Sequence, residues 1–150
     1  MKSIFTILLL VLFLQSLQLN DIPKHIYIEN IVDMPVVEMG SKVLPDGNNI
    51  VLVDDYYPTW FSGSAKLGEG NTVIAGHNYS AFQLLHNIEI GDTIKVNNYK
   101  FTVTHIFIVN EVHYEDRVKN SRYLLPTENS RLTLITCLDG KTKRIIVIAE

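Results

Sequence analysis

From residue 25 onward the chain is a succession of short β-rich runs, each closed by residues that turn a backbone. That punctuation constrains the fold more than any other feature. The runs are 25–32, 35–37, 50–53, 72–75, 93–96, 99–109, 132–136 and 144–148. Between them stand Pro45-Asp46-Gly47-Asn48-Asn49, Gly68-Glu69-Gly70-Asn71, Gly91-Asp92, Asn97-Asn98 and Asp139-Gly140, residue types that supply positive φ or bond their own backbone. Asn97-Asn98, with a β-rich run on either side, reads as a hairpin turn. Many short strands in one small domain predict an all-β fold, a closed eight-stranded β-barrel, because closure removes the edges that invite aggregation. Helix is scarce. SAFQLLHN at 80–87, with Ser80 as N-cap, is the best short helix, and 121–125 forms at most one further turn before Pro126.

The bulk numbers agree with one packed domain. At 150 residues, 47% apolar and 19% charged, the body buries a core without metal or disulfide staples. Net charge is −3 with Lys and Arg dispersed, which excludes a nucleic-acid groove as the main business. Residues 1–20 form a leader, with Lys2 ahead of the apolar run 4–14, then Gln15, Ser16, Gln18 and Leu19. It reads as a signal peptide or an N-terminal membrane anchor. No alanine precedes Ala65, so the usual small-residue cleavage site is missing and a retained anchor is favoured, with 21–150 as the folded domain on the outer face of the membrane. Signal cleavage and secretion is the alternative.

The chain has one cysteine, Cys137, so neither an internal disulfide nor a multi-thiolate metal site is open to it. It ends the apolar run RLTLITC, and Arg144 follows seven residues later. With Asp139-Gly140 as the centre of a two-residue turn, Cys137 pairs with Thr142, and Arg144 is its diagonal neighbour on the same face. A guanidinium there cannot act as a base, but it can hold a developing oxyanion or a substrate carbonyl. The plainer reading, that Arg144 is a solvated loop cation like Lys141 and Lys143, stays open on the hairpin alone.

A thiol nucleophile also needs a histidine to exchange protons with. Of the five histidines, His25, His86, His105 and His113 sit where structural or solvated roles are expected. His77 differs, because the short strand NTVIA delivers Ala75-Gly76-His77 to its rim and Gly76 permits close backbone approach. His77, Cys137 and Arg144, each at a strand end, make a Cys-His-Arg constellation.

These residues carry a family resemblance. TLITC at 133–137 resembles the TLxTC signature of sortases, Arg144 falls where their arginine follows, and NTVIAGHN at 71–78 resembles their histidine segment. PVVEMG at 35–40, WFSGSAKLGEGN at 60–71 and FQLLHNIEIGDTIKV at 82–96 extend the likeness over nearly all of the body. The short Cys137 to Arg144 connection resembles the smaller single-anchor classes, D, E or F.

The resemblance implies a membrane-anchored cysteine transpeptidase of Gram-positive type. Its partners would be the C-terminal LPxTG-like sorting signal of exported proteins and an amine of a cell-wall precursor or pilin. It implies Cys137 as nucleophile, His77 as proton carrier and Arg144 on the oxyanion, with Thr136 in the family's position before the cysteine. The segment 110–131 would be the long loop and short helix over the substrate groove. Its Glu111, Glu115 and Asp116 resemble those of calcium-stimulated sortases. Loop carboxylates are ordinarily solvated, and no cofactor is expected. Two other readings fit the same residues, a thiol peptidase of this fold that only hydrolyses and a non-enzymatic extracytoplasmic barrel that binds peptide or wall polymer.

Overall fold

The computed structural model describes residues 21–43, 45, 49–138, 140 and 142–150. The expected leader and most of the turn at 45–49 lie outside the described residues. Eleven strands are present among those described: β1 His25–Ile28, β2 Val32–Pro35, β3 Val37–Met39, β4 Ser41–Val43, β5 Asn49–Val51, β6 Thr59–Phe61, β7 Asn71–Ala75, β8 Thr93–Val96, β9 Tyr99–Asn110, β10 Arg131–Leu138 and β11 Lys143–Ala149. Nine of them form one sheet in the order β2-β1-β8-β9-β11-β10-β7-β6-β3, and β4 pairs with β5 apart from it.

The two edge strands of that sheet are separated in sequence by Val36 alone. Val36 N–H donates to the Lys24 carbonyl at 2.8 Å, and Val37 N–H donates to the Pro58 carbonyl at 2.9 Å. The chain therefore leaves one edge and joins the other within two residues, and the sheet curls into a nearly closed barrel of nine strands. The predicted eight-stranded barrel is corrected by one. Asn30 takes a positive φ of 59° and ends β1 early, so that β2 opens at Val32, while the run expected at 50–53 pairs with β4 outside the barrel and β6 joins it. The three residues of β6 are too few to show a period.

Inward side chains alternate as a pleated strand requires. Ile26 and Ile28 of β1, Ile94 and Val96 of β8, and Leu132 and Leu134 of β10 are each 2% exposed or less and share one core. Burying each such side chain stabilises the fold by roughly 1.5–3 kcal/mol. On β8 the alternate residues face solvent, whereas Ile145–Ala149 of β11 are buried on both faces. A strand covered on both sides reads as a continuous apolar run, and that doubly covered part of the barrel carries the site.

Its outer cover is the segment between β9 and β10, formed by helix α1 Tyr114–Asn120 and a 3-10 turn Ser121–Leu124. A buried polar clasp ties it down. Asn71, 1% exposed, donates from Nδ2 to the carbonyls of Tyr123 and Leu125, both at 3.0 Å, and its Oδ1 accepts from Thr133 Oγ1 at 2.6 Å. The helix expected over 80–87 is instead a run of turns ending in a 3-10 helix at Leu85–Asn87. Phe82, Leu85 and Ile88 all point into the core, at spacings a continuous α-helix does not match on one short face.

Gly76 is fixed by that same segment. A Cβ on it would stand 2.7 Å from Phe82 Cδ2 and 3.2 Å from Ala81 Cβ, and Phe82 is 1% exposed. The ring cannot move without opening the core. Gly76→Ala is therefore expected to cost about 1–3 kcal/mol through overpacking, read as a Tm lower by several degrees in a thermal melt. An unchanged Tm would mean that the 77–84 segment yields freely.

Candidate active site

Register alone brings the three sequence-predicted residues together. β10 runs parallel to β7 with Arg131 opposite Asn71 and Ile135 opposite Ala75. Gly76 N–H continues the pairing by donating to the Ile135 carbonyl at 3.1 Å, so the next step sets His77 level with Cys137. On the other side of β10, Cys137 lies directly opposite Arg144 in β11. The thiol is thus the centre of a row across three neighbouring strands, with histidine on one flank and arginine on the other.

This corrects the predicted hairpin. Leu138 pairs with Lys143, so residues 139–142 form a four-residue connection, with Gly140 at a φ of +58°. Arg144 is the directly opposed partner of Cys137, not its diagonal one. Directly opposed side chains start about 4.5–5.5 Å apart at Cβ, against about 7–8 Å on the diagonal. Asp139 lies outside the described residues.

The row opens on a groove of about 300 Å³. Val53, Phe61, Val73, Ala75, Leu124 and Ile135 give it an apolar lining. An apolar concavity with a few convergent polar groups is the usual form of a ligand site. A larger cavity of about 870 Å³ lies by β1 and β8, bordered by Glu29, Asp92, Lys95 and Lys100. It holds none of the three residues, and the chemistry, not the size, selects the groove.

The two groups that flank the thiol are each held by neighbours. Arg144, 22% exposed, forms an ion pair with Glu111, Nε to Oε2 at 3.3 Å, and Glu111 is itself only 14% exposed. Arg144 Nη1 donates to the Lys143 carbonyl at 3.2 Å. Glu111 is placed by its own N–H, which donates to the Thr142 carbonyl at 2.7 Å. On the other flank the His77 ring stacks on Tyr79, with centroids 4.7 Å apart and planes at 14°. His77 Nε2 lies 4.0 Å from Asp55 Oδ1.

Desolvation, then the charge of Asp55 and the hydrogen bond its carboxylate accepts, push the Tyr79 phenol above its usual range. It stays a neutral donor. The neighbouring Asp54 is held below the ordinary carboxylate range by N–H groups of Tyr56 and Tyr57, each at 2.8 Å. Those bonds curl the 54–57 turn and so position Asp55 beside the imidazole.

Three of the other histidines are elsewhere, and His86 borders a small cavity that Cys137 also borders. His25 meets Asp33 at 2.9 Å on the β1–β2 pair, His105 stacks on Phe107, and His113 caps α1. Of the acidic loop residues, Glu111 goes to Arg144 and Asp116 accepts from the His113 N–H at 3.2 Å. Among the described residues, no three His, Cys, Asp or Glu side chains gather in a way that could hold a metal.

Comparison with known proteins decides the family. The sortase domain family model matches residues 26–150. The chain belongs to the sortase family. Its fold is similar to that of sortase A from Listeria monocytogenes (TM-score 0.63, 22% identity, covering 87% of this chain and 86% of that one). It is equally similar to a Clostridium perfringens sortase D5 transpeptidase (0.63, 23%, 90% and 84%). Sortase C-1 from Actinomyces oris follows (0.60, 19%, 84% and 71%). A search of curated proteins finds no match. The structural neighbours carry class A, C and D names, so the likeness does not single out a class.

In this sortase, sequence reasoning missed Asp55 and Tyr79, and named Glu111 only as a loop carboxylate, not as the partner of Arg144. The acid and aromatic run Asp54-Asp55-Tyr56-Tyr57 was a visible signal in an otherwise turn-like stretch. The role of Glu111 could not be read, because its contact with Arg144 exists only once β9 and β11 are paired. No helix among the described residues is long and apolar enough to cross a membrane.

Proposed function

We propose that the chain is a cysteine transpeptidase in which Cys137, His77 and Arg144 cut an LPxTG-like sorting signal between Thr and Gly. The observation that supports it is the row on three adjacent strands, thiol in the centre, opening on an apolar groove. The groove suits the leucine and proline side chains of such a signal, with the scissile carbonyl over Cys137. The thiolate sulfur bonds to the carbonyl carbon, and the oxyanion that forms is stabilised by the Arg144 guanidinium. His77 gives its proton to the departing glycine nitrogen, the C–N bond breaks, and a thioester remains on Cys137.

An incoming amine of a cell-wall precursor or pilin then attacks the thioester, its proton passes to His77, and the C–S bond breaks to release the Cys137 thiolate. The leader would hold the enzyme on the outer face of the membrane. The short link from β10 to β11 favours one of the smaller single-anchor classes.

The test is to incubate the full chain with a library of LPxTG-type peptides and look by mass spectrometry for an acyl adduct on Cys137. The expected result is an adduct that transfers to an added amine. Product identical with and without amine would make the chain a hydrolase of the same fold. No adduct on any peptide would leave a binding barrel.

A further inference from the structure

We propose that the larger cavity, on the outer face of β1, β8 and β9, is a second binding site, and that it takes the phosphate ester of a polyol. One border of it is set by register. Tyr27 of β1 lies opposite Lys95 of β8, and Lys95 lies opposite Lys100 of β9. Their sequence neighbours Ile26, Ile28, Ile94, Val96 and Phe101 are buried in the core, so alternation turns Tyr27, Lys95 and Lys100 outward in one line. All three border the cavity, whose volume of about 870 Å³ falls within the roughly 300–1,000 Å³ of ligand sites.

The charges around it are not neutralised from within the chain. Lys95 and Lys100 stand directly opposite each other, about 4.5–5.5 Å apart at Cβ, where like charges destabilise a strand pair. Among the described residues neither has a carboxylate within ion-pair distance, and the Lys95 ammonium rests instead over the Tyr27 ring, 5.4 Å from its centroid. Yet Glu29 and Asp92 border the same cavity. Glu29 follows β1 and Asp92 precedes β8, and these ends lie side by side because Ile28 pairs with Ile94. From Lys95 back to Asp92 is three steps of extended chain, roughly 10 Å at about 3.3 Å per residue. The cavity therefore has a cationic end and an anionic end that do not meet.

A phosphate suits the first end. Its oxygens accept from both ammonium groups at once and relieve the repulsion between them. The other end calls for donors, and its neutral residues say which kind. Asn30, Asn87 and Thr93 border it, and an amide or a hydroxyl both donates and accepts. A ligand hydroxyl answers them in both senses, while giving its proton to Glu29 or Asp92. An ammonium has no acceptor, which makes it the poorer match. Tyr27 and Ile31 give the carbon chain between phosphate and hydroxyls an apolar strip. Because two lysines and two carboxylates cancel, charge alone holds nothing here, and the hydroxyl-bearing arm is required.

The test uses the full chain, with glycerol phosphate and inorganic phosphate as probes in an amide NMR titration. Glycerol phosphate is expected to shift the amides of residues 27–31, 92–95 and 100, and to bind about tenfold or more tighter than inorganic phosphate. The double variant Lys95→Gln, Lys100→Gln should weaken it by about tenfold or more without lowering Tm, since the substitutions remove a like-charge pair. Glu29→Ala should weaken glycerol phosphate severalfold and inorganic phosphate not at all. The site needs no chemistry at Cys137, so Cys137→Ala should bind as the parent does. Equal affinity for the two probes, parent-like affinity in the double lysine variant, or shifts elsewhere on the barrel would overturn the inference. The same ester can be a lipid headgroup or a free polymer. Sedimentation with phosphatidylglycerol vesicles, against phosphatidylcholine vesicles and a soluble glycerol phosphate polymer, tells them apart. Binding to the anionic vesicles assigns the headgroup, binding to the polymer alone assigns the free ester, and binding to neither overturns the site.

Discussion

Cys137→Ala is expected to fold as the parent does and to cleave no sorting-signal peptide above background. The residue is half-buried near the end of β10 and stands outside the core cluster, so trimming it to alanine removes a sulfur and little packing. The chemistry loses its only thiol. Where a nucleophile works as one unit with its proton carrier, its removal costs on the order of 10⁶-fold in turnover. The measurement is cleavage of an LPxTG-type peptide by the two proteins at equal concentration, with melting curves to match. A methanethiosulfonate reagent should silence the parent to the same degree. If Cys137 resists the reagent in the folded chain, or the alanine variant keeps parent-like turnover, the nucleophile assignment is wrong.

The second large effect is expected at Arg144. Arg144→Ala should lower kcat by roughly 10²–10³-fold, the cost of losing one oxyanion donor, with KM for the peptide changed far less. Arg144→Lys should recover little, because an ammonium on a flexible stem does not reproduce a planar fork. Glu111 adds a graded control. With Nε held on Glu111 Oε2 at 3.3 Å, the direction of the guanidinium is set from behind. Glu111→Gln keeps an acceptor there and Glu111→Ala does not, so kcat should fall more for alanine, by about tenfold, equivalent to ~1.4 kcal/mol. A kcat equal to the parent's in all four variants would remove Arg144 from the chemistry and make it the ordinary loop cation.

Much of this was legible before any coordinates. The strand runs, the Asn97-Asn98 hairpin and the strand-end placing of His77, Cys137 and Arg144 are encoded locally, by apolar runs of fixed period and by residues with special φ preferences. Asn97 does take a φ of 52°, and Val96 pairs with Tyr99. What could not be read were quantities set by pairing between distant segments. Strand β6 exists because Thr59 and Trp60 pair with Ala75 and Ile74 of β7, not because three residues prefer to extend. The true span of the connection after Cys137 depends on which residue of β11 meets Leu138, and a favoured turn dipeptide there was overruled by sheet register. Asp55 and Tyr79 beside His77, and Glu111 as the partner of Arg144, became visible only in the folded chain.

The hairpin turn at Asn97 has one more consequence, for which way the molecule faces. Its side chain accepts from the N–H groups of Lys24 and His25, at 2.9 and 3.2 Å, and donates to the Ile22 carbonyl at 2.8 Å. The start of the domain is thereby sewn to the turn at which β9 begins, while the thiol row sits where β9 finishes, with Arg144 opposite Val109. Any tether ahead of Asp21 pulls on one pole of the barrel, and the reactive groove looks out from the other.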